Sequence, residues 1–183
     1  MSARIRLRVV EFDDAPALAQ LAVSQAEHLR RWEPRRAADY ATASTQHDLV
    51  ARSLAAYERG SAVPFLIVSD DDEIIGRVNV TGIVRGALQS CAIGYWVSAQ
   101  HEGRGVATEA VAQVVDFAFN DLSVHRVQAE TLPENVGSRI VLERNGFELF
   151  GLAPKYLKIN GEWRDHLMFQ LLNDAYLDAE PGR

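Results

Sequence analysis

The chain is 183 residues long, which at about 150 residues per domain means one domain, with enough chain for a core that needs no disulfide or metal staple. Nineteen Lys and Arg against twenty-five Asp and Glu leave a net charge of −6. That argues against a nucleic-acid binder and suits a small-molecule enzyme or one with a basic polypeptide partner. The single cysteine, Cys91, excludes an internal disulfide and a cysteine zinc cage, and a reducing cytoplasmic setting is expected. No apolar run approaches the ~20 residues of a membrane span, and the opening MSARIRLRVVEFDD lacks the apolar core of a signal peptide.

Alternation of Ile5, Leu7 and Val9 with Arg4, Arg6 and Arg8 predicts a strand over 4–11. Asp13 or Asp14 can cap a helix with Pro16 in its first turn and Leu18, Leu21 and Ala22 on one face. Pro34 interrupts 28–36, and a second helix is expected from Ser44 or Thr45 to Arg59, stopped by Gly60. Strands follow at 63–69 and 74–83 around the polar turn 70–73, then a third at 90–97 after Arg85-Gly86-Ala87. The loop 98–105 leads into a helix over 106–120, with Val111, Val114, Val115 and Ala118 inward. A strand at 124–131, a helix from Pro133-Glu134-Asn135 to Asn145-Gly146, a strand beginning at 147–150 and a last strand at 162–172 complete the pattern. The order β-α-α-β-β-β-α-β-α-β-β mixes hairpins with crossovers, so the class is α/β of the mixed (α+β) kind. No repeat, low-complexity tract or linker divides the chain, and a single domain over 1–183 is expected.

The stretch richest in chemistry is Tyr95 to Thr108. A strand runs into a loop with Gly103 and Gly105, and the loop runs directly into a helix. Glycines permit a tight turn and close approach to a ligand, and the first helical amides have no acceptor in their own helix and favour an anion. Gly103, Arg104, Gly105, Val106 and Ala107 could thus wrap a pyrophosphate. The same residues also suit a plain strand-to-helix turn. Neither a G-x-x-x-x-G-K-[ST] loop nor a third Rossmann glycine is present.

Ile93-Gly94-Tyr95-Trp96-Val97, Gln100-x-x-Gly103-x-Gly105 and Ala107-Thr108-Glu109-Ala110 resemble the acetyl-CoA motif of the GNAT N-acetyltransferases. His125-Arg126, Pro133-Glu134-Asn135, Ser138 and Gly146-Phe147 follow at that family's spacings. Within the family the chain resembles the RimJ/RimL branch of ribosomal-protein N-terminal acetyltransferases. The RimJ side is the more similar, through HLRRWEP at 28–34, EIIG at 73–76, Val84-Arg85-Gly86, YLKINGEWRDH at 156–166 and the terminal Pro181-Gly182-Arg183. The resemblance implies the GNAT fold, a mixed twisted sheet flanked by helices and splayed between its fourth and fifth strands, with acetyl-CoA in the opening.

It also implies roles. Backbone groups of Tyr95, Trp96 and Val97 would face the pantetheine and thioester, and Gln100, Gly103 to Ala107 and Thr108 would hold the pyrophosphate. Asn135, otherwise a plain N-cap, would bind the cofactor's amide arm. Ser138, otherwise a small first-turn residue, is the candidate acid, because Leu142 stands where many relatives place a tyrosine. The base is open. Ala92 replaces a glutamate common in relatives, the position expected from the RimL side falls near Leu157, and Glu130, Glu33, Asp165 and His166 remain, with Glu130 the candidate base among them. Trp32, Glu33, Tyr156, Trp163 and Asp165 would line the acceptor side, and each also suits a packing role. His101 and His125 carry no ligand spacing, so no metal is expected, and Cys91 suits a core position better than a nucleophile.

The expected activity is direct acetyl transfer to the α-amine of a protein or peptide, as on ribosomal proteins. The alternatives are transfer to a small amine (an antibiotic, a peptide nucleotide or a polyamine) and a non-catalytic acyl-CoA-binding module. An α-amine, with a pKa of about 7.7–8.0, is roughly one-quarter neutral near physiological pH, against about one part in a thousand for lysine, which favours the first. The sequence carries no sign of oligomeric state.

Overall fold

The computed structural model describes residues 4–177, so Pro181-Gly182-Arg183 lies outside the described residues. In chain order the elements are β1 (Ile5–Val9), α1 (Ala15–Ser24), α2 (Ala26–Leu29), α3 (Ala43–Glu58), β2 (Val63–Ser69), β3 (Ile74–Val84), β4 (Ser90–Val97), α4 (Val106–Asn120), β5 (Arg126–Thr131), α5 (Val136–Arg144), β6 (Glu148–Ile159), β7 (Glu162–Leu172) and α6 (Asp174–Leu177). One seven-stranded sheet has the order β1-β2-β3-β4-β5-β7-β6. All neighbours are antiparallel except β4 and β5, which are parallel.

At the starts of α1 and α3 the capping differs from the sequence expectation for local reasons. The side chain of Asp14 does not cap α1. It accepts hydrogen bonds from Arg8 at 2.6 and 2.7 Å and from the Glu11 amide at 2.7 Å, and a 3-10 turn over Phe12–Asp14 leads into the helix instead. Burial opposes ionisation of Asp14, but the Arg8 and Glu11 hydrogen bonds outweigh it and hold the carboxyl below its ordinary value. Helix α3 starts at Ala43, because Thr42 is extended and its hydroxyl accepts from the Thr45 amide at 3.2 Å.

Strand β6 runs to Ile159, well beyond the start expected at 147–150. Its register against β7 shifts twice, and the second shift contains Lys155 at φ 49°, whose amide donates to Asp165 at 2.8 Å. Asn160 and Gly161, at φ 44° and 93°, form the two-residue turn into β7 that favours such left-handed pairs.

The sheet is covered unequally. Val78, Val80, Ile93, Val111, Val114, Val127 and Phe169 belong to the larger core, beneath α4 and α5. Val10, Leu18, Val50, Leu66 and Val68 form the smaller one, beneath α1 and α3. Each such side chain contributes about 1.5–3 kcal/mol of burial. The decisive feature lies between the layers. β4 and β5 pair only at Ser90–Ala92 with Arg126–Gln128. Beyond that, β4 stays with β3 to Val97 and β5 stays with β7 to Thr131, and the sheet splays open.

Gly76 keeps β3 against β4, since a Cβ there would collide with the Trp96 carbonyl oxygen. Gly76→Ala is expected to lower unfolding stability by about 1–3 kcal/mol. Gly94→Ala, where a Cβ meets nothing within 4 Å, is expected to change it by less than about 0.5 kcal/mol. Urea unfolding of the two variants checks the difference.

Candidate active site

The Ser98 amide donates to the Ile75 carbonyl at 2.7 Å. Backbone groups alternate sides along a strand, so those of Trp96 are committed to β3 while those of Ile93, Tyr95 and Val97 point into the opening. The side chains alternate the other way. Tyr95 packs against the larger core, its hydroxyl 3.0 Å from Ser138 Oγ and 3.2 Å from the Ser138 carbonyl. Burial pushes the Tyr95 phenol up to about 12, with the Ser138 hydrogen bond working against the shift. Trp96 turns its ring to the opposite face, where it lines a cavity.

Across the opening, Asn135 caps α5. Its Oδ1 accepts from the Ser138 amide at 3.1 Å, which leaves the side-chain NH2 as a donor. Ser138 sits in the first turn with its hydroxyl on Tyr95. Leu142, one turn further, is fully buried in the core. Arg139, beside Ser138, keeps a buried Nε with no hydrogen-bond partner.

After Val97 the chain passes through a 3-10 turn, Ala99–His101, to Gly103 and Gly105 at φ 68° and 82°. A side chain would strain both, and the space beside each is empty to 4 Å. Gly105 is the N-cap of α4, so the amides of Val106, Ala107 and Thr108 have no acceptor in their own helix and the exposed Arg104 lies beside them. Gln100 faces another way: its side-chain carbonyl accepts from Gln25 at 3.3 Å. Gln25, nearly inaccessible at the α1–α2 junction, also accepts from the Ala99 amide at 2.9 Å. His28 reaches Glu102 at 3.3 Å. No short-range pattern marks Gln25; the only local sign is a polar residue where one helix gives way to the next.

On the α1 side of the sheet, a cavity of about 430 Å³ lies between α1, α2, residues 30–42, β3 and β4. The β6–β7 turn is latched over it. The Asn160 amide donates to the Glu33 carbonyl at 3.0 Å, and Arg35 Nε donates to the Asn160 carbonyl at 3.1 Å. Glu33 lines the cavity, its carboxylate held by Arg36. Trp32 does not line it and lies under the Arg31 guanidinium, 4.6 Å from the ring centroid. Arg30, Arg35, Arg36 and Arg77 make the lining basic, so the net charge of −6 does not extend to this wall.

Glu130 stands on β5 opposite Met168. With Gln128 paired to Ala92, Glu130 falls across the opening from Gly94, on the cavity face of the sheet. Burial raises its pKa, and its charge, with burial, raises that of Tyr156. The Tyr156 ring lies 5.5 Å from that of His166. Trp163 and Asp165 alternate to the other face of β7 and neither lines the cavity; Trp163 is 61% exposed, and Asp165 is occupied by Lys155. Cys91 is buried, and burial lifts its thiol to about 11. Among the described residues no group of three or more His, Cys, Asp or Glu gathers as a metal site, and no helix is long and apolar enough to cross a membrane.

A sheet parted between parallel strands, with a bare-amide helix start beyond one of them, is the architecture of an N-acetyltransferase. A family model described as acetyltransferase (GNAT) domain matches residues 4–148, and the chain belongs to that family. It is 38% identical over 170 residues, 92% of this chain and 94% of the relative, to Probable N-acetyltransferase YjcK of Bacillus subtilis (strain 168). It is 33% identical over 181 residues, 98% and 92% of the two chains, to the [Ribosomal protein uS5]-alanine N-acetyltransferase of Escherichia coli (strain K12). A solved structure of Mycobacterium smegmatis RimJ in complex with CoA-disulfide superposes with a TM-score of 0.90 at 34% identity, covering 94% of this chain and 84% of that one.

Glu130 carries a pH signature. Its folded pKa is raised, so its protonated form favours folding; that contribution is full below the unfolded carboxyl pKa and is lost as pH climbs through the folded value. Glu130→Gln, which cannot ionise, is expected to melt higher relative to the wild type at about pH 8 than at about pH 4. Melting curves at the two pH values check the sign.

Proposed function

We propose that this chain transfers the acetyl group of acetyl-CoA directly to the N-terminal α-amine of a protein, with ribosomal proteins as the substrate class. The observation that carries this reading is the junction at Tyr95–Trp96, where the acceptor-side cavity meets the opened edge of β4. The name of the Escherichia coli relative supports the substrate class.

The residues present fit the cofactor. Left-handed Gly103 and Gly105 with empty space beside them, the bare amides of Val106, Ala107 and Thr108, and Arg104 suit a pyrophosphate. The backbone groups of Tyr95 and Val97 and the NH2 of Asn135 suit an amide-bearing arm. When bound, acetyl-CoA supplies the acetyl group as a thioester and takes a proton on the sulfur that departs. Ser138 donates that proton, and Tyr95, held protonated, stands behind it as a hydrogen-bond partner. Glu130, at the opening with a raised pKa, takes the proton from the amine through water. A partly neutral α-amine asks little of such a base. Cys91, protonated in the core, is not an acyl carrier, which supports transfer in one step.

Acceptor-dependent thiol release from acetyl-CoA, measured with N-terminal peptides of ribosomal proteins, tests the reading. Release is expected with free α-amines and not with the same peptides blocked at the N-terminus but retaining lysines. Intact masses of ribosomal proteins from cells with and without the chain should differ by one acetyl group on a substrate. Ser138→Ala is expected to lower kcat by about 10²-fold, with a smaller loss in Tyr95→Phe; full turnover with an unchanged pH profile in Ser138→Ala sinks the acid assignment. A small amine is the second reading, favoured by a cavity of about 430 Å³, which lies in the range of ~300–1,000 Å³ usual for small ligands. Thiol release with polyamines and aminoacyl nucleotides, and none with peptides, would establish it instead.

A further inference from the structure

Arg77 lies in the middle of β3, between Leu66 of β2 and Trp96 of β4, and lines the cavity. Its side chain is largely withdrawn from water, yet its Nε has no hydrogen-bond partner, and no ion pair engages it among the described residues. The acids whose fields reach it, Glu33 and Asp14, are both committed elsewhere. Asp14 is forked by Arg8 at 2.6 and 2.7 Å. Glu33 accepts from Arg36 at 2.9 and 3.1 Å. Arg36 also lies 4.5 Å over the Tyr40 ring, and the Tyr40 phenol is a further electrostatic neighbour of Arg77.

A guanidinium keeps its charge in proteins, and a buried charge is ordinarily paired. Here four arginines face a single carboxylate, already neutralised, across a cavity otherwise walled mainly by alanine, leucine and proline. Such a wall complements an anion that arrives with the ligand, and a planar fork suits a carboxylate or a phosphate. Low polarity around it strengthens the pairing.

We infer that Arg77 is a specificity-determining residue that binds an oxyanion carried by the acceptor, a carboxylate or phosphate set back several bonds from the amine. The inference rests on the reading that this cavity receives the acceptor. Arg77 and Trp96 are direct cross-strand neighbours, about 5 Å apart at Cβ, and the opening lies on the far side of β4, a further strand spacing of about 4.8 Å. An α-carboxylate on the carbon that bears the amine is too close to span this. At about 3.3–3.6 Å per extended residue, the side chain of Asp or Glu at the second or third position of a peptide spans it, as does the phosphate of an aminoacyl nucleotide.

Two measurements on the full chain test this. In the first, thiol release is followed with peptides that begin with Ala and differ only in Glu or Gln at the second or third position, and with an alanyl-AMP analogue beside its uncharged alanylated nucleoside. The wild type is expected to show a KM at least tenfold lower for the charged member of a pair, with kcat changed less than threefold. Arg77→Met is expected to bring that KM ratio close to one, and Arg77→Lys to restore part of it. The peptide and nucleotide pairs tell a carboxylate source from a phosphate source. In the second measurement, which needs no turnover, melting is followed with glutarate and with inorganic phosphate at matched ionic strength. A saturable rise in Tm is expected for the wild type and not for Arg77→Met. Arg77-dependent recognition in either measurement supports the site. Equal KM values within every pair, together with equal anion responses of wild type and Arg77→Met, overturn it. Absence of any peptide turnover with a retained Arg77-dependent anion response would count against the peptide reading alone.

Discussion

β4 and β5 pair through three residues each and then separate, and every chemical feature of the molecule is arranged around that separation. Each strand is held on its other side along its length, β4 by β3 and β5 by β7, so neither can swing back to close the gap. The exposed groups are the N–H and C=O groups of a strand edge in the middle of a sheet. Leaving such groups without partners costs about 1–3 kcal/mol apiece where water is excluded, so the parted edge is a built-in demand for hydrogen bonds. An extended, amide-bearing ligand meets that demand in the way a missing strand would. Tyr95 sets the position of α5 on one side of the gap through Ser138, and Trp96 sets the cavity wall on the other.

Two adjacent residues thereby divide the work of the site. Alternation along β4 gives Tyr95 its backbone in the opening and its phenol on Ser138, while Trp96 has its backbone in the sheet and its ring in the cavity. A single insertion or deletion in 90–97 would exchange the two roles, which is why register here matters more than side-chain identity. The acidic bulk of the chain and the basic cavity also coexist without conflict. Net charge sums over the whole surface, whereas recognition depends on the few charges that share a low-polarity enclosure.

Much of the framework was legible because its signals are local. Alternating apolar residues marked β1 and β7, and apolar runs on either side of the polar turn 70–73 marked the hairpin of β2 and β3. Glycines marked the start of α4, and the run from Ile93 to Ala110 carried the family resemblance. β6 was legible only at its start, because most of its residues are exposed on both faces and Pro154 and Lys155 break the alternation at a bulge. Gln100 and the backbone of Trp96 were assigned to the cofactor from their place in the motif, but the Gln100 side chain accepts from Gln25 and the Trp96 backbone groups are committed to β3. Nothing in the strand pattern of 74–83 singled out Arg77. Its isolation appears only once Arg8 and Arg36 are seen to occupy the two nearby carboxylates, a relation among residues from three separate elements that no window along the chain contains.

The buried amide of Gln25, with His28 beside it, ties the α1–α2 junction to the loop that precedes α4. Residues of that junction also form one wall of the cavity, so the wall and the loop rest on one shared set of contacts. Were filling the cavity to shift the junction, the loop would feel it, and linkage would require the reverse effect by the same factor. Any coupling between cavity and loop thereby has a physical seat in the contacts of Gln25 and His28.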